Sequence, residues 1–256
     1  MVILLHGAAT ELGEAIAACA RRERGYGTVE SGDATACDGV IHCSDPDSAR
    51  DPQLVRDTLA ALRGSGKPFV YTSTAWVMGA TRGRLAGEAF PLRPPPEFAW
   101  LPAVERELFD TTVCGVRGVV IRPAAMYGGK AGLVERLAAG AIPLTAEAAA
   151  SQHSFVHVED LAELYVLAWE SAAAGSLYVA ADGPAVTWGE VAQRLAGVRR
   201  TESLADARAE VGPLADWMTL DQRVGSTRAG RELGWKPSRP SLLPFLHART
   251  MAAARS

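Results

Sequence analysis

The sequence predicts an α/β chain on a mostly parallel, doubly wound sheet, and three observations predict it. Short continuous apolar runs recur along the chain and stop at glycine or small polar residues, as strands buried on both faces do. Between them lie amphipathic segments with apolar residues three and four apart. The two kinds alternate over most of the length, which is the pattern of βαβ units.

Val2-Ile3-Leu4-Leu5 predicts a first strand ending at His6-Gly7, and Glu14 to Arg22 a helix with Ala15, Ile16, Cys19 and Ala20 on one stripe. Thr28-Val29-Glu30 and Gly39-Val40-Ile41-His42-Cys43 read as strands, and Asp51 to Arg63 as an amphipathic helix through Leu54, Val55, Leu59 and Leu62. Phe69-Val70-Tyr71-Thr72 is a further buried strand. Residues 80–99, with Gly83, Gly87 and Pro94-Pro95-Pro96, read as loop. Pro102 suits the first turn of a helix reaching about Asp110. Val116 to Ile121 is strand-like and stops at Arg122-Pro123, whereas residues 124–153 support no firm assignment. Val158 to Trp169 reads as a helix with Asp160 as its cap, Ser176 to Ala180 as a strand, and Thr187 as the N-cap of a helix from Trp188 to Leu195.

At 256 residues, 48% hydrophobic and 21% charged, the chain suits one large α/β domain or a domain plus a lobe. Lys+Arg 26 against Asp+Glu 29 gives a net charge of -3, with no basic stripe to hold nucleic acid. Cys19, Cys37, Cys43 and Cys114 form no metal-ligand spacing, so no metal is expected. No apolar run nears the ~20 residues of a membrane span, and no secretory pattern opens the chain. The expected location is the cytoplasm.

The first turn, His6-Gly7-Ala8-Ala9-Thr10-Glu11-Leu12-Gly13, puts glycine at the outer positions of a GxxGxxG spacing and Thr10 in the middle. Such a turn lets backbone N–H groups and a helix N-terminus hold a pyrophosphate, so Gly7, Ala8, Thr10, Leu12 and Gly13 are candidate cofactor contacts. Further along stand Val70-Tyr71-Thr72-Ser73-Thr74-Ala75-Trp76-Val77-Met78-Gly79, Ile121-Arg122-Pro123-Ala124-Ala125-Met126-Tyr127-Gly128, Phe155-Val156-His157-Val158-Glu159-Asp160-Leu161-Ala162 and Leu233-Gly234-Trp235-Lys236-Pro237.

These four segments, in this order, resemble those of the NAD(P)-dependent epimerase/dehydratase family, the extended short-chain dehydrogenases. The resemblance implies a Rossmann-like core over residues 1–123. A small substrate lobe, with segments returning to the core, would occupy residues 124–256. It implies a cofactor site that includes Asp33 and Pro123. It also implies a substrate hydroxyl contact at Thr74 beside Ser73, and a homodimer paired through the helices at Asp51–Arg63 and Pro102–Asp110. Leu54, Leu62, Val104 and Leu108 would serve that face or pack onto their own sheet.

Two departures from the family pattern change the expected chemistry. The proton-transfer tyrosine and lysine are missing: Glu97-Phe98-Ala99-Trp100-Leu101-Pro102-Ala103-Val104-Glu105 contains neither, and the Trp100 indole has no useful acidity. The stretch between Gly13 and Asp38 leaves room for only one short strand. If Gly32-Asp33 matches the family's Gly-Asp after strand three, strand two and its ribose-binding acid are gone. A side chain at Thr10 should also crowd the phosphate. NAD(P) is therefore implied by the family but expected to bind weakly or not at all.

Thr74, His153 and Tyr127 are the remaining catalytic candidates, with His153 as a general base or, equally, a structural loop histidine. Ser73, Trp76, Met78, Trp100 and Met126 are the expected walls of a site for an apolar or aromatic small molecule. The expected function is a non-redox isomerase, cyclase or dehydratase. The alternatives are an NAD(P)-dependent reductase or epimerase with another proton donor, and a non-catalytic small-molecule-binding protein.

Overall fold

The apolar run Val2–His6 (β1) lies second from one edge of the sheet, with a parallel strand on either side. Gly27–Val29 (β2) pairs with it in parallel on one edge and Gly39–His42 (β3) on the other. Beyond β3 come Pro68–Thr72 (β4), then Arg117–Pro123, then Ser176–Ala180, every pairing parallel. The computed structural model describes residues 1–253 except 131, 202 and 226. In it the strand order from one edge is Ser176–Ala180, Arg117–Pro123, β4, β3, β1, β2. Ile3, Val40, Ile41, Phe69, Val70 and Val120 are fully buried within it.

Glu11–Arg24 (α1) starts at Thr10, whose side chain accepts the Gly13 N–H, and stops at Gly25 in the left-handed conformation. It packs on Val158–Ser171, while Asp51–Ala61 (α2) packs on Leu101–Phe109 (α3). Arg117 donates to the carbonyls of Trp169 (2.6 Å) and Ala172 (3.0 Å), satisfying the last carbonyls of the helix Val158–Ser171. Among the described residues no helix is long and apolar enough to cross a membrane.

Three expectations need correction. The strand β2 lies directly beside β1, so the position of strand two is filled; the outer strand and its crossover helix are what the short chain omits. Asp33, expected at the cofactor, is exposed and caps the turn Ala34–Ala36 through the Thr35 N–H at 2.8 Å. The cap of Val158–Ser171 is His157, whose Nδ1 accepts from the Glu159 N–H at 3.2 Å, and not Asp160. Of the apolar positions offered for a dimer face, Leu62, Val104 and Leu108 are buried in the chain's own core. The exposed surface joining α2 and α3 instead carries the Arg56–Glu107 pair at 3.4 Å.

The stretch from 124 to 153 resolves into short pieces. Ala125–Tyr127 pairs in parallel with Phe155–His157, and Gln152–His153 antiparallel with Val186–Thr187. Helices Leu133–Ala138 and Ala146–Ala150 complete it. A second apolar cluster forms here around Tyr127, Leu137, Ile142, Phe155 and Trp188. Trp188 heads a helix with a full capping box between Thr187 and Glu190.

Two of the sequence segments turn out to be halves of one joint. Trp235 donates its indole N–H to the Asp160 carbonyl at 2.8 Å. The Asp160 carboxylate accepts from the backbone N–H groups of Ser238 (3.0 Å) and Arg239 (3.1 Å) and from the Ser238 hydroxyl (3.1 Å). Asp160 is 2% exposed, so removing it strands two N–H groups. Asp160→Ala should cost about 2–4 kcal/mol in a denaturant titration. Glu159→Ala, which removes only the exposed pair with Arg239, should cost under ~1 kcal/mol. Equal losses would refute the joint.

Candidate functional site

The carboxyl ends of the parallel strands open into a cavity of about 670 Å³, where open α/β sheets bind ligands. The first turn supplies Ala9 to Leu12, the end of β3 Cys43 to Pro46, and the end of β4 Thr72, Ser73 and Thr74. Trp76, Phe98, Met126, Leu214 and Trp217 form an apolar and aromatic wall, and Arg136 a charged one. Trp217 stands 6.3 Å from Trp76 and 4.6 Å from Phe98 between ring centroids. A smaller recess of about 280 Å³ lies on the other side of the turn, lined by His6, Gly7, Glu30, Gly32, Arg50 and others, and shares Ser44 with the cavity.

The turn between them is tight because two glycines permit it. Gly7 has φ +98°, and a Cβ there would meet Ser44 Oγ at 2.6 Å. A Cβ on Gly13 would meet the Gly7 carbonyl at 2.3 Å. Thr10 does not crowd the turn as expected. Its Oγ1 lies 2.7 Å from the carbonyl oxygens of both Gly7 and Cys43 and accepts from the Gly13 N–H at 3.0 Å. The hydroxyl is thus turned into the fold. The Glu11 carboxylate is held by the Lys130 backbone N–H.

The ribose-binding acid expected to be lost also has a counterpart. Glu30 follows directly on β2 and lines the smaller recess, at about the ~20-residue spacing after the glycine turn that such acids keep. A dinucleotide fits this arrangement: pyrophosphate at the turn and α1 N-terminus, adenosine ribose at Glu30, nicotinamide end in the larger cavity.

The catalytic candidates fare unequally. Thr74 lines the cavity, and its Oγ1 accepts from the Trp76 N–H at 3.2 Å, leaving its own proton free to donate. Ser73 does the reverse. Its hydroxyl donates to Glu105 at 2.6 Å, and Glu105 takes a two-pronged ion pair from Arg122 at 2.8 and 2.5 Å. Glu105 is 1% and Arg122 2% exposed. Ser73 therefore presents only an acceptor to the cavity.

His153 and Tyr127 lie outside the lining. His153 Nε2 sits 3.1 Å from the Met218 carbonyl with its ring between Trp76 and Trp188, and burial pushes its pKa down to about 4. Its ring is held in the core, away from the cavity lining. The Tyr127 hydroxyl lies 2.6 Å from Asp182 and 2.8 Å from the Pro240 carbonyl, and burial raises its pKa well above the ordinary phenol range. Met78 is fully buried, and the Trp100 indole donates to the Glu97 carbonyl at 2.8 Å. Neither lines the cavity. Pro123, Met126, Trp76, Thr10 and Leu12 do, Gly7 lines the recess, and Ala8 and Gly13 pack the turn. Burial lifts the Cys43 thiol to about 12, so this wall residue carries no thiolate.

Sequence reasoning missed Ser44, Asp45, Glu30, Arg136 and Trp217. The first two stand at the end of β3, across the switch from β1, and the rule that ligands gather there would have found them. Glu30 was visible as an acid ending a strand. Arg136 and Trp217 lay in stretches with no signal. Among the described residues no group of three His, Cys, Asp or Glu side chains could hold a metal ion.

No family model matches the chain. An uncharacterized protein of Schizosaccharomyces pombe is 28% identical over 237 residues, covering 82% of this chain and 76% of the relative. A 3-diazoavenalumate denitrifying reductase of Streptomyces sp is 34% identical over 137 residues, 48% of this chain and 44% of that enzyme. The dTDP-glucose 4,6-dehydratase of Bacillus anthracis in complex with NAD superposes with TM-score 0.76 at 14% identity, over 100% of this chain and 97% of the dehydratase. The UDP-glucose 4-epimerase of Thermus thermophilus in complex with NAD does so with TM-score 0.72 at 20% identity, over 99% and 100%.

The chain has the epimerase/dehydratase fold. Within that fold the resemblance read from the sequence segments has a physical basis: Arg122 of the Arg-Pro segment anchors Glu105, and Asp160 clasps the C-terminal Trp-Lys-Pro. Both solved neighbours hold NAD at a fold of this kind.

Two expected outcomes follow from the burial. Glu105→Ala leaves Arg122 charged and unpaired, and should cost about 3–5 kcal/mol in denaturant titration. His153 is neutral when folded but gains a proton when unfolded below its ordinary 6.5. The unfolded state therefore binds more protons, and stability falls as pH drops from 6.5 towards 4. Between pH 6.5 and 5 the wild type should lose about 2 kcal/mol more than His153→Gln. Identical pH profiles would refute the burial of a neutral imidazole.

Proposed function

We propose that the chain is a nicotinamide-dependent reductase of an apolar or aromatic small molecule. The observation that carries the reading is the pair of recesses meeting at Ser44 across the glycine turn, with Glu30 in one and the aromatic wall in the other. A partial-length relative that is a reductase supports it. A non-redox isomerase, cyclase or dehydratase was expected to use His153 as its base and Tyr127 as a possible donor, and both lie outside the lining.

Bound across the turn, a reduced nicotinamide would supply a hydride at the larger cavity. The chain's own part is to hold and dry the acceptor. Trp76, Phe98 and Trp217 exclude water from a flat ring and stack on it. Thr74 donates a hydrogen bond to a polar atom of the substrate, and Ser73 accepts one, an orientation enforced by Glu105. Among the described residues the cavity lining offers no tyrosine and no lysine. The fitting acceptor is therefore one that gains a hydride without taking a proton from the wall. An aryl diazonium group is of this kind: the added hydride neutralises its charge, and the ring keeps the hydrogen as dinitrogen leaves.

Glu30 accepts the ribose hydroxyls and repels a 2′-phosphate, so NADH is favoured over NADPH. Arg50 in the same recess leans on Asp51, 3.7 Å away. Glu30→Gln should weaken NADH about tenfold, equivalent to ~1.4 kcal/mol, and narrow the gap to NADPH. With NADH deuterated at C4 and a diazo-substituted phenol, the label is expected on the ring carbon that bore nitrogen. Turnover no faster than in the absence of protein, over a panel of such phenols, would contradict the reading.

A further inference from the structure

The cavity has one charged feature that neither the fold nor the reading above uses. Arg136, on the helix Leu133–Ala138, is the one basic residue among the described residues that line it. Its guanidinium has no hydrogen-bond or ion-pair partner among the described residues. The neighbouring carboxylate does not neutralise it, because Glu135 faces Arg249 at 3.5 Å. The two acids of the lining do not either: Glu11 is held by the Lys130 N–H, and Asp45 is exposed. An unpaired guanidinium in the wall of an aromatic cavity is a fork for an anion.

The charge count decides which anion. A phosphate or diphosphate besides the dinucleotide's own would bring about two further negative charges into a lining that already holds two carboxylates. A carboxylate brings one charge and matches one guanidinium in two parallel hydrogen bonds. We infer that the substrate is an aromatic or conjugated carboxylic acid whose carboxylate pairs with Arg136 while its ring lies against Trp76, Phe98 and Trp217. The inference rests on the reductase reading only for taking this cavity as the substrate end.

Trp76 and Trp217 line the cavity, so their fluorescence reports occupancy directly. trans-Cinnamate and methyl cinnamate share a ring and differ in charge, and serve as the probes, with NADH titrated separately. The wild type should bind cinnamate at least about tenfold more tightly than the ester, and the preference should vanish in Arg136→Gln and invert in Arg136→Glu. Both variants should bind methyl cinnamate and NADH within about twofold of wild type, since Arg136 is exposed and holds no other element. Equal affinity for acid and ester, no saturable binding of the acid, or a cinnamate preference that survives in Arg136→Gln would overturn the inference. A loss of NADH affinity in Arg136→Gln would overturn it too, by making the arginine a contact of the dinucleotide phosphates. Failure of wild type to bind NADH, with the acid preference intact, would sink the reductase reading alone and leave Arg136 as a carboxylate site.

Discussion

One hydroxyl closes the turn on which the site depends. Thr10 Oγ1 touches the Gly7 and Cys43 carbonyls and the Gly13 N–H, and so pins the end of β1, the start of α1 and the end of β3 to one point. With the hydroxyl turned inward, the middle position of the glycine spacing tolerates a side chain without losing the open face of the turn. The close approaches at Gly7 and Gly13 then set how near Ser44 comes to the helix N-terminus. The helix dipole and the free N–H groups of the first turn point at the same place.

A second constraint shapes the wall opposite. The buried Glu105–Arg122 pair ties α3 to the strand Arg117–Pro123, and Ser73 joins it from the end of β4. Such a pair adds little net stability over an apolar filling, but it is costly to break. Its effect on the site is directional: the Ser73 proton points away from the cavity, while Thr74 keeps its proton for a ligand. The polar pattern of the wall is thus one donor beside one acceptor, with aromatic faces around them and, among the described residues, no histidine, tyrosine or lysine in the lining. In the proposed reading that pattern orients a substrate and leaves the bond-making to a bound cofactor.

Much of the fold was legible because it follows from local rules. The buried strands, the glycine turn and the Thr187 cap are written in apolar runs and cap residues, and the observed boundaries differ from expectation by a residue or two at most sites. The site was legible where it sits on those elements, as at Thr74, Trp76 and Met126. It was not legible where burial is set by residues far away in sequence. His153 read equally as a base or a structural histidine by position, and it is sealed by Trp188 and Met218, which come from other segments. Tyr127 is likewise taken by Asp182 and Pro240. The Asp33 match is displaced by register: the short chain omits an outer strand, and Glu30, not Asp33, follows directly on the strand beside β1.

The account stands on a dinucleotide crossing the turn from the Glu30 recess to the aromatic cavity. Calorimetric titration of the purified chain with NADH tests this most directly. One saturable site per chain with a micromolar dissociation constant, ~-8 kcal/mol of binding free energy, is the result expected. No saturable heat up to millimolar NADH would contradict it.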